Sequence, residues 1–101
     1  MEEIIFEIIS SAGEAKGLAY EALQYAEQGE FEKSRECLKE SDKALLKVHS
    51  IQTNLIQQEA AGNKVDLSLL MVHAQDHLMS AIEAKTLIEG MIKIYKKIEG
   101  K

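Results

Sequence analysis

Histidine and carboxylate side chains are concentrated in one short segment of this chain. Two of the three histidines, His73 and His77, lie four residues apart, with Asp76 between them and Ser80 three residues after the second. On a helix these spacings place all four side chains in one broad stripe, where they can act on a common site. The segment is therefore the first candidate for chemistry.

Three kinds of chemistry fit two histidines one helical turn apart. A zinc-protease helix has a glutamate directly after its first histidine, but this chain has Ala74 there. A di-iron bundle needs Glu-x-x-His motifs, which the chain lacks. Nucleophilic catalysis fits, because a free imidazole titrates near neutral pH and keeps a nitrogen that can accept a phosphoryl group. A purely structural or interfacial role for the cluster is equally open on these grounds.

The rest of the sequence predicts a single all-α domain over residues 1–101. The chain has no proline and no turn-forming glycine pair, and its apolar residues recur at three- and four-residue spacing. The expected helices span residues 2–28, 31–61 and 67–99. Gly29 and Gly62 are expected to end the first two, and Asp66 to cap the third. Short links between long helices predict an up-down-up bundle.

Composition excludes several classes of function. The chain has 17 acidic and 12 basic residues, and a formal net charge of -5 would repel nucleic acid and anionic lipid. No apolar run reaches the ~20 residues of a membrane-spanning helix, and the first residues are acidic where a signal peptide would be basic. The single Cys37 cannot form an internal disulfide. We therefore expect a cytoplasmic protein with no nucleic-acid partner and no direct membrane insertion.

The start of the third helix predicts self-association. Apolar residues surround nearly its whole circumference at Leu67, Leu69, Leu70, Met71 and Val72. Three helices of one chain cannot cover every side, so we expect a homo-oligomer with the third helix innermost. The alternative is that Leu69 and Met71 are simply half exposed. Within the first helix, Gly13 and Gly17 either let another backbone approach or are merely tolerated.

Two longer segments give the chain a family resemblance. Residues 71–79, Met-Val-His-Ala-Gln-Asp-His-Leu-Met, resemble the signature of the lactose/cellobiose-specific IIA family of sugar phosphotransferase systems. Residues 49–62, which precede that segment, are also similar to the family. The similarity extends to Gly13 and to residues 21–23, 26–31 and 94–96. One departure is Glu30, where the family often has aspartate, and glutamate is a poorer helix N-cap.

The resemblance implies a function, partners and a metal. It implies a phosphotransferase component of a bacterial sugar phosphotransferase system, in which His73 accepts a phosphoryl group from the phosphocarrier HPr and passes it to a IIB component during uptake of a cellobiose- or lactose-type disaccharide. It also implies a homotrimer in which Asp76 of three subunits shares Mg²⁺ or a similar divalent cation at the axis, because three unpaired carboxylates would repel one another. Glu83, on the same stripe, is expected to be solvated and unpaired.

Several side chains are predicted to donate hydrogen bonds to the phosphoryl group. The candidates are His77, Gln75 and Ser80, with Gln52 and Thr53 from a neighbouring helix. His77 has an equal chance of a packing role, and His49 is expected to be an interface residue rather than a second phosphorylation site. A different class of function also stays open, a helical oligomerisation or regulatory module that transfers no phosphoryl group.

Overall fold

The computed structural model describes residues 1–100, which form three long helices. They are α1, Glu2–Glu27, α2, Phe31–Ala60, and α3, Leu69–Ile98. The helices lie side by side in an up-down-up bundle that measures 53 × 21 × 18 Å, and the described residues contain no strand. The all-α prediction is therefore confirmed. Within the same residues, no helix has the length and apolar character needed to cross a membrane.

The first helix is the central element of the bundle. It packs against both other helices, whereas α2 and α3 contact each other over a much smaller surface. The side of α1 that faces them carries five fully buried alanines: Ala12, Ala15, Ala19, Ala22 and Ala26. The distance between packed helices depends on the side chains at the contact, so methyl groups let both neighbours lie close to α1.

The core consists of two clusters along the length of the bundle. The first includes Ile8 of α1, Val48 of α2 and Leu78 of α3, all fully buried. The second includes Ala22 and Ile88. Burial of one such large aliphatic side chain stabilises a fold by roughly 1.5–3 kcal/mol. Because one cluster joins the first halves of α1 and α3 and the other joins their second halves, these two helices run parallel.

Glycines end the first two helices, as the sequence predicts. Gly29 has a φ of 79°, the left-handed conformation that other residues adopt at a cost. Its N–H donates to the carbonyl of Ala26 at 3.0 Å, and the N–H of Glu30 donates to the carbonyl of Tyr25 at 2.9 Å. Gly62, with a φ of 93°, closes α2 with the same pair of bonds. Both ends therefore satisfy carbonyls that a helix terminus would otherwise leave free.

The start of α3 differs from the prediction. The cap is Ser68, whose hydroxyl accepts a hydrogen bond from the N–H of Met71 at 3.1 Å, so the helix begins at Leu69. The expectation that Asp66 caps a helix starting two residues earlier is wrong. The physical reason is local: Ser68 has the extended backbone of a helix cap, with φ -140° and ψ 162°, and its hydroxyl satisfies an N–H of the first turn.

The start of α2 bears out the weakness expected of a glutamate cap. The side chain of Glu30 makes no capping hydrogen bond. Its carboxylate instead pairs with the ammonium of Lys33 at 3.0 Å. The first turn of α2 therefore carries a solvent-exposed ion pair in place of a side-chain cap, and such pairs contribute little to stability.

The two glycines inside α1 do not mark a close approach within this chain. Gly13 and Gly17 are both exposed, and a Cβ atom added at either would have no heavy atom of another element within 4 Å. They lie away from the buried alanines, which make the close contacts instead. Within this chain, therefore, no backbone approaches these two positions, and both glycines lie on an open surface.

Candidate functional site

The two clustered histidines meet on the surface of α3. The rings of His73 and His77 pack edge to face, with centroids 4.5 Å apart and planes at 89°. His73 is exposed and His77 is half-buried. Within residues 1–100 neither ring makes a hydrogen bond or an ion pair. The nitrogens of the His73 ring are therefore uncommitted, and His77 limits the directions the ring can take.

Gln75 points to the other side of α3. Its amide oxygen accepts a hydrogen bond from the amide nitrogen of Gln52 on α2 at 2.6 Å, and its own nitrogen lies 3.7 Å from the sulfur of Met71. Two residues along a helix correspond to a rotation of about 200°, which takes Gln75 away from His73. Gln75 joins α3 to α2 and could reach a phosphoryl group only by breaking this contact. Gln52 does meet the predicted site segment, through Gln75.

Ser80 lies on the histidine side of α3 and has a partner that sequence reasoning missed. Lys16 of α1 donates a hydrogen bond from its ammonium to the Ser80 hydroxyl at 3.0 Å. Both residues are half-buried. The sequence held a signal for Lys16, because it lies between the buried Ala15 and Ala19, where a charged side chain must extend along the edge of a helix contact to reach water.

Asp76 belongs to a long exposed side of α3 that faces away from α1 and α2, here called the outer face. Its residues are Leu69, Val72, Asp76, Met79, Glu83, Leu87 and Ile94. Leu69 is 86% exposed and Ile94 is 60% exposed, whereas Met71 is buried within the chain. Neither Asp76 nor Glu83 has an ion-pair or hydrogen-bond partner within residues 1–100. An apolar face of this length, with a carboxylate in its middle, is typical of a surface that another chain covers.

A divalent cation would have to be shared between chains. Within residues 1–100, no three His, Cys, Asp or Glu side chains lie close enough together to hold a metal ion. Asp76 supplies a single carboxylate on the outer face, which is the oxygen donor that Mg²⁺ accepts. One copy of this residue from each of several chains fits a hard cation, and one chain alone does not.

His49 and Thr53 lie on α2, and the described contacts join neither of them to His73. His49 is exposed and lines a shallow groove between α2 and α3 together with Leu45, Leu46 and Ile82. Thr53 is exposed and has no hydrogen-bond partner within residues 1–100. The pairs that the structure brings together are therefore His73 with His77, Gln52 with Gln75, and Ser80 with Lys16.

Similarity to known proteins covers nearly all of the chain. Residues 3–96 match the family model described as PTS system, Lactose/Cellobiose specific IIA subunit. The lichenan-specific phosphotransferase enzyme IIA component of Bacillus subtilis (strain 168) is 46% identical over 98 residues, which are 97% of this chain and 89% of that protein.

Solved structures are similar in fold as well as in sequence. The crystal structure of the PTS cellobiose-specific enzyme IIA from Bacillus anthracis matches 99% of this chain and 92% of its own with a TM-score of 0.93 and 45% identity. The IIA(Chitobiose)-HPr complex of the Escherichia coli phosphotransferase system matches 97% of this chain and 95% of its own with a TM-score of 0.84 and 39% identity. The chain therefore belongs to the lactose/cellobiose-specific IIA family of the phosphotransferase system.

Proposed function

We propose that this chain is a cytoplasmic phosphocarrier that takes a phosphoryl group from HPr on His73 and passes it to a IIB component during uptake of a cellobiose- or lactose-type disaccharide. The observation that carries the proposal is the His73 ring, exposed and without a hydrogen bond within residues 1–100, in a chain of the IIA family. The similarity to a IIA subunit solved with HPr supports HPr as the donor.

The chemistry of the step needs a nucleophile and positioning rather than further covalent machinery. A ring nitrogen of His73 forms a bond to phosphorus while the bond from phosphorus to the donor's histidine nitrogen breaks and leaves its electron pair on that ring. Such transfers pass through a loose, metaphosphate-like state, so alignment and nearby donors supply most of the catalysis. His77, in edge-to-face contact with His73, restricts the ring and is the nearest candidate donor. Ser80 is a further candidate.

We propose also that the assembled form is a homotrimer with the outer faces of α3 at its centre. The exposed apolar residues of that face support the proposal, because a second and third copy would cover them. Three Asp76 carboxylates would then lie near the axis and require neutralisation. Mg²⁺ or a similar divalent cation bound by Asp76 of each chain would supply the positive charge.

The competing function is a helical interaction module that transfers nothing. Both functions are compatible with the bundle and with the outer face of α3, and only one of them needs a free imidazole. The experiment that separates them incubates the purified chain with phosphoenolpyruvate, enzyme I and HPr and measures the intact mass. We expect one added phosphoryl group per chain.

His73→Ala provides the residue-level control. The exposed ring contributes little packing, so the variant should keep its helicity and assembly while losing all labelling. Labelling at the level of the unsubstituted chain would move the acceptor to His77 or His49. Absence of labelling in the unsubstituted chain would favour the interaction module.

A further inference from the structure

We propose that Lys16 is the cation of the phosphoryl site, a role that rests on the proposed function of His73. In the unphosphorylated chain the ammonium is held by the hydroxyl of Ser80, on the histidine side of α3. When His73 carries a phosphoryl group, the ammonium turns towards it and stabilises its negative charge across about 8 Å.

The partner of Lys16 distinguishes it from the other paired cations of the chain. The cations that form ion pairs with carboxylates are Lys33, Arg35, Lys43, Lys47 and Lys85. Lys16 pairs with no carboxylate within residues 1–100, although the chain is acidic, and its half-buried ammonium contacts a neutral hydroxyl. Its positive charge is therefore available to an anion that arrives later.

The direction of the Lys16 side chain favours the same anion. Side chains on a helix lean towards its N-terminus. Because α1 and α3 run parallel, Lys16 leans along α3 towards the end that carries the histidines. Its ammonium reaches Ser80, from which His77 is one turn and His73 two turns further on, about 10 Å along the helix axis. Rotation about the side-chain bonds of Lys16 brings the ammonium closer to His73 without contact, so it acts on the phosphoryl group as a charge about 8 Å away.

The chemical need for a cation follows from the charge of the product. A phosphorylated histidine carries roughly two negative charges, and Asp76 on the next turn adds a third. His77 is the nearest side chain on α3 that can donate to the phosphoryl oxygens. An ammonium from α1 would stabilise the charge that remains on the phosphoryl group, without gaining or losing a proton and without entering the covalent step.

The experiment compares Lys16→Met with Lys16→Arg and with the control Lys39→Met. Methionine keeps most of the length of the lysine stem, arginine keeps the charge, and Lys39 is an exposed lysine of α2 that forms no ion pair within residues 1–100. All three variants retain His77 and Asp76. Circular dichroism and melting establish that each variant folds before it is compared.

The first readout is the occupancy of His73 at equilibrium with phosphorylated HPr. An attraction between unit charges about 8 Å apart, at an effective dielectric constant between 20 and 80, corresponds to roughly a twofold to thirtyfold change. Lys16→Met should lower the equilibrium constant by a factor in this range. Lys16→Arg should restore most of it, and Lys39→Met should leave it unchanged.

The second readout is independent of HPr. Potassium phosphoramidate, a small chemical donor, labels histidine nitrogen directly, and ³¹P NMR then follows protonation of the phosphoryl group with pH. A nearby cation favours the dianion, so Lys16→Met should raise the midpoint by about 0.4 to 1.5 pH units. A midpoint equal to that of Lys39→Met, or equal impairment of Lys16→Arg and Lys16→Met, would overturn the proposal.

The two donors separate the two hypotheses. Labelling of His73 by phosphoramidate but not by HPr would overturn the proposed function. The role of Lys16 would then be decided by the ³¹P NMR titration alone. Labelling by both donors with no difference between Lys16→Met and Lys39→Met would overturn the role of Lys16 alone. Labelling of His73 by neither donor would overturn both.

Discussion

Two polar interactions join α2 to α3, and we expect the ion pairs of Lys85 to be the stronger of the two. The Lys85 side chain is 12% exposed, and its ammonium lies 2.5 Å from a carboxylate oxygen of Asp42 on α2 and 3.2 Å from one of Glu89 on α3. The other polar interaction is the hydrogen bond between Gln52 of α2 and Gln75 of α3. Because α2 and α3 share little apolar surface, Lys85→Met should loosen the side of the bundle next to the α2–α3 groove.

The size of the effect follows from the exposure of the partners. Burial lowers the pKa of Lys85, but its hydrogen bonds and the charges of Glu89 and Asp42 raise it by more, so the net pKa lies above the ordinary 10.5. The two carboxylates are 62% and 41% exposed, so they can be rehydrated when the lysine is removed. We therefore expect a loss of about 1–2 kcal/mol, or roughly 5–10 °C in Tm.

The assay is urea denaturation of the unsubstituted chain and of Lys85→Met at equal protein concentration. The matched control is Lys33→Met, since its ion pair with Glu30 is solvated on both sides and its loss should change stability much less than the loss of Lys85. A group with a raised folded pKa contributes its stability below the unfolded pKa and loses it as pH rises through the folded pKa. The deficit of Lys85→Met should therefore persist at neutral pH and shrink only above about pH 10.5. A loss no larger than that of Lys33→Met would refute the reasoning.

Three further predictions concern the site and the start of α3. His77→Ala should slow phosphoryl transfer in rapid-quench assays without abolishing it, because it removes a donor rather than the acceptor, whereas complete loss in a folded variant would give His77 a larger role. Asp76→Leu should give an oligomer whose melting ignores Mg²⁺, while the unsubstituted chain gains about 2.7 kcal/mol at a concentration one hundred times Kd; identical responses would rule out the shared metal. Ser68→Ala should cost about 1 kcal/mol in urea denaturation, and Asp66→Ala only a few tenths, because Ser68 makes the capping bond. Equal losses of stability in the two variants would contradict the assignment of Ser68 as the cap.

Features set by neighbours in the sequence were predictable. Gly29 and Gly62 end their helices because only glycine enters the left-handed conformation without cost, and this requirement is local. The His73–His77 contact is also local, since four residues make one turn of a helix. The start of α3 was harder to predict, because Asp66 and Ser68 are both good capping residues and only the structure shows that the hydroxyl of Ser68 makes the capping bond.

Contacts between helices could not be predicted from the spacing of residues in the sequence. Lys16 and Ser80 are 64 residues apart, and their hydrogen bond depends on the rotation and register of α1 relative to α3. The orientation of Gln75 was accessible from helix geometry, since two residues correspond to about 200° of rotation. The family signature placed Gln75 beside His73 in the sequence, and adjacency in sequence is not adjacency on a helix.

The close packing at the buried alanines of α1 limits which substitutions these positions tolerate. At Ala19, for example, glycine would weaken the helix by up to about 1 kcal/mol, and any larger side chain would force apart helices that already touch. A saturation scan read out by protein abundance should therefore show α1 as a helix with intolerant positions every three or four residues. Alanine would be nearly the only residue accepted at each of them, whereas the exposed positions of α1 between them should tolerate many substitutions.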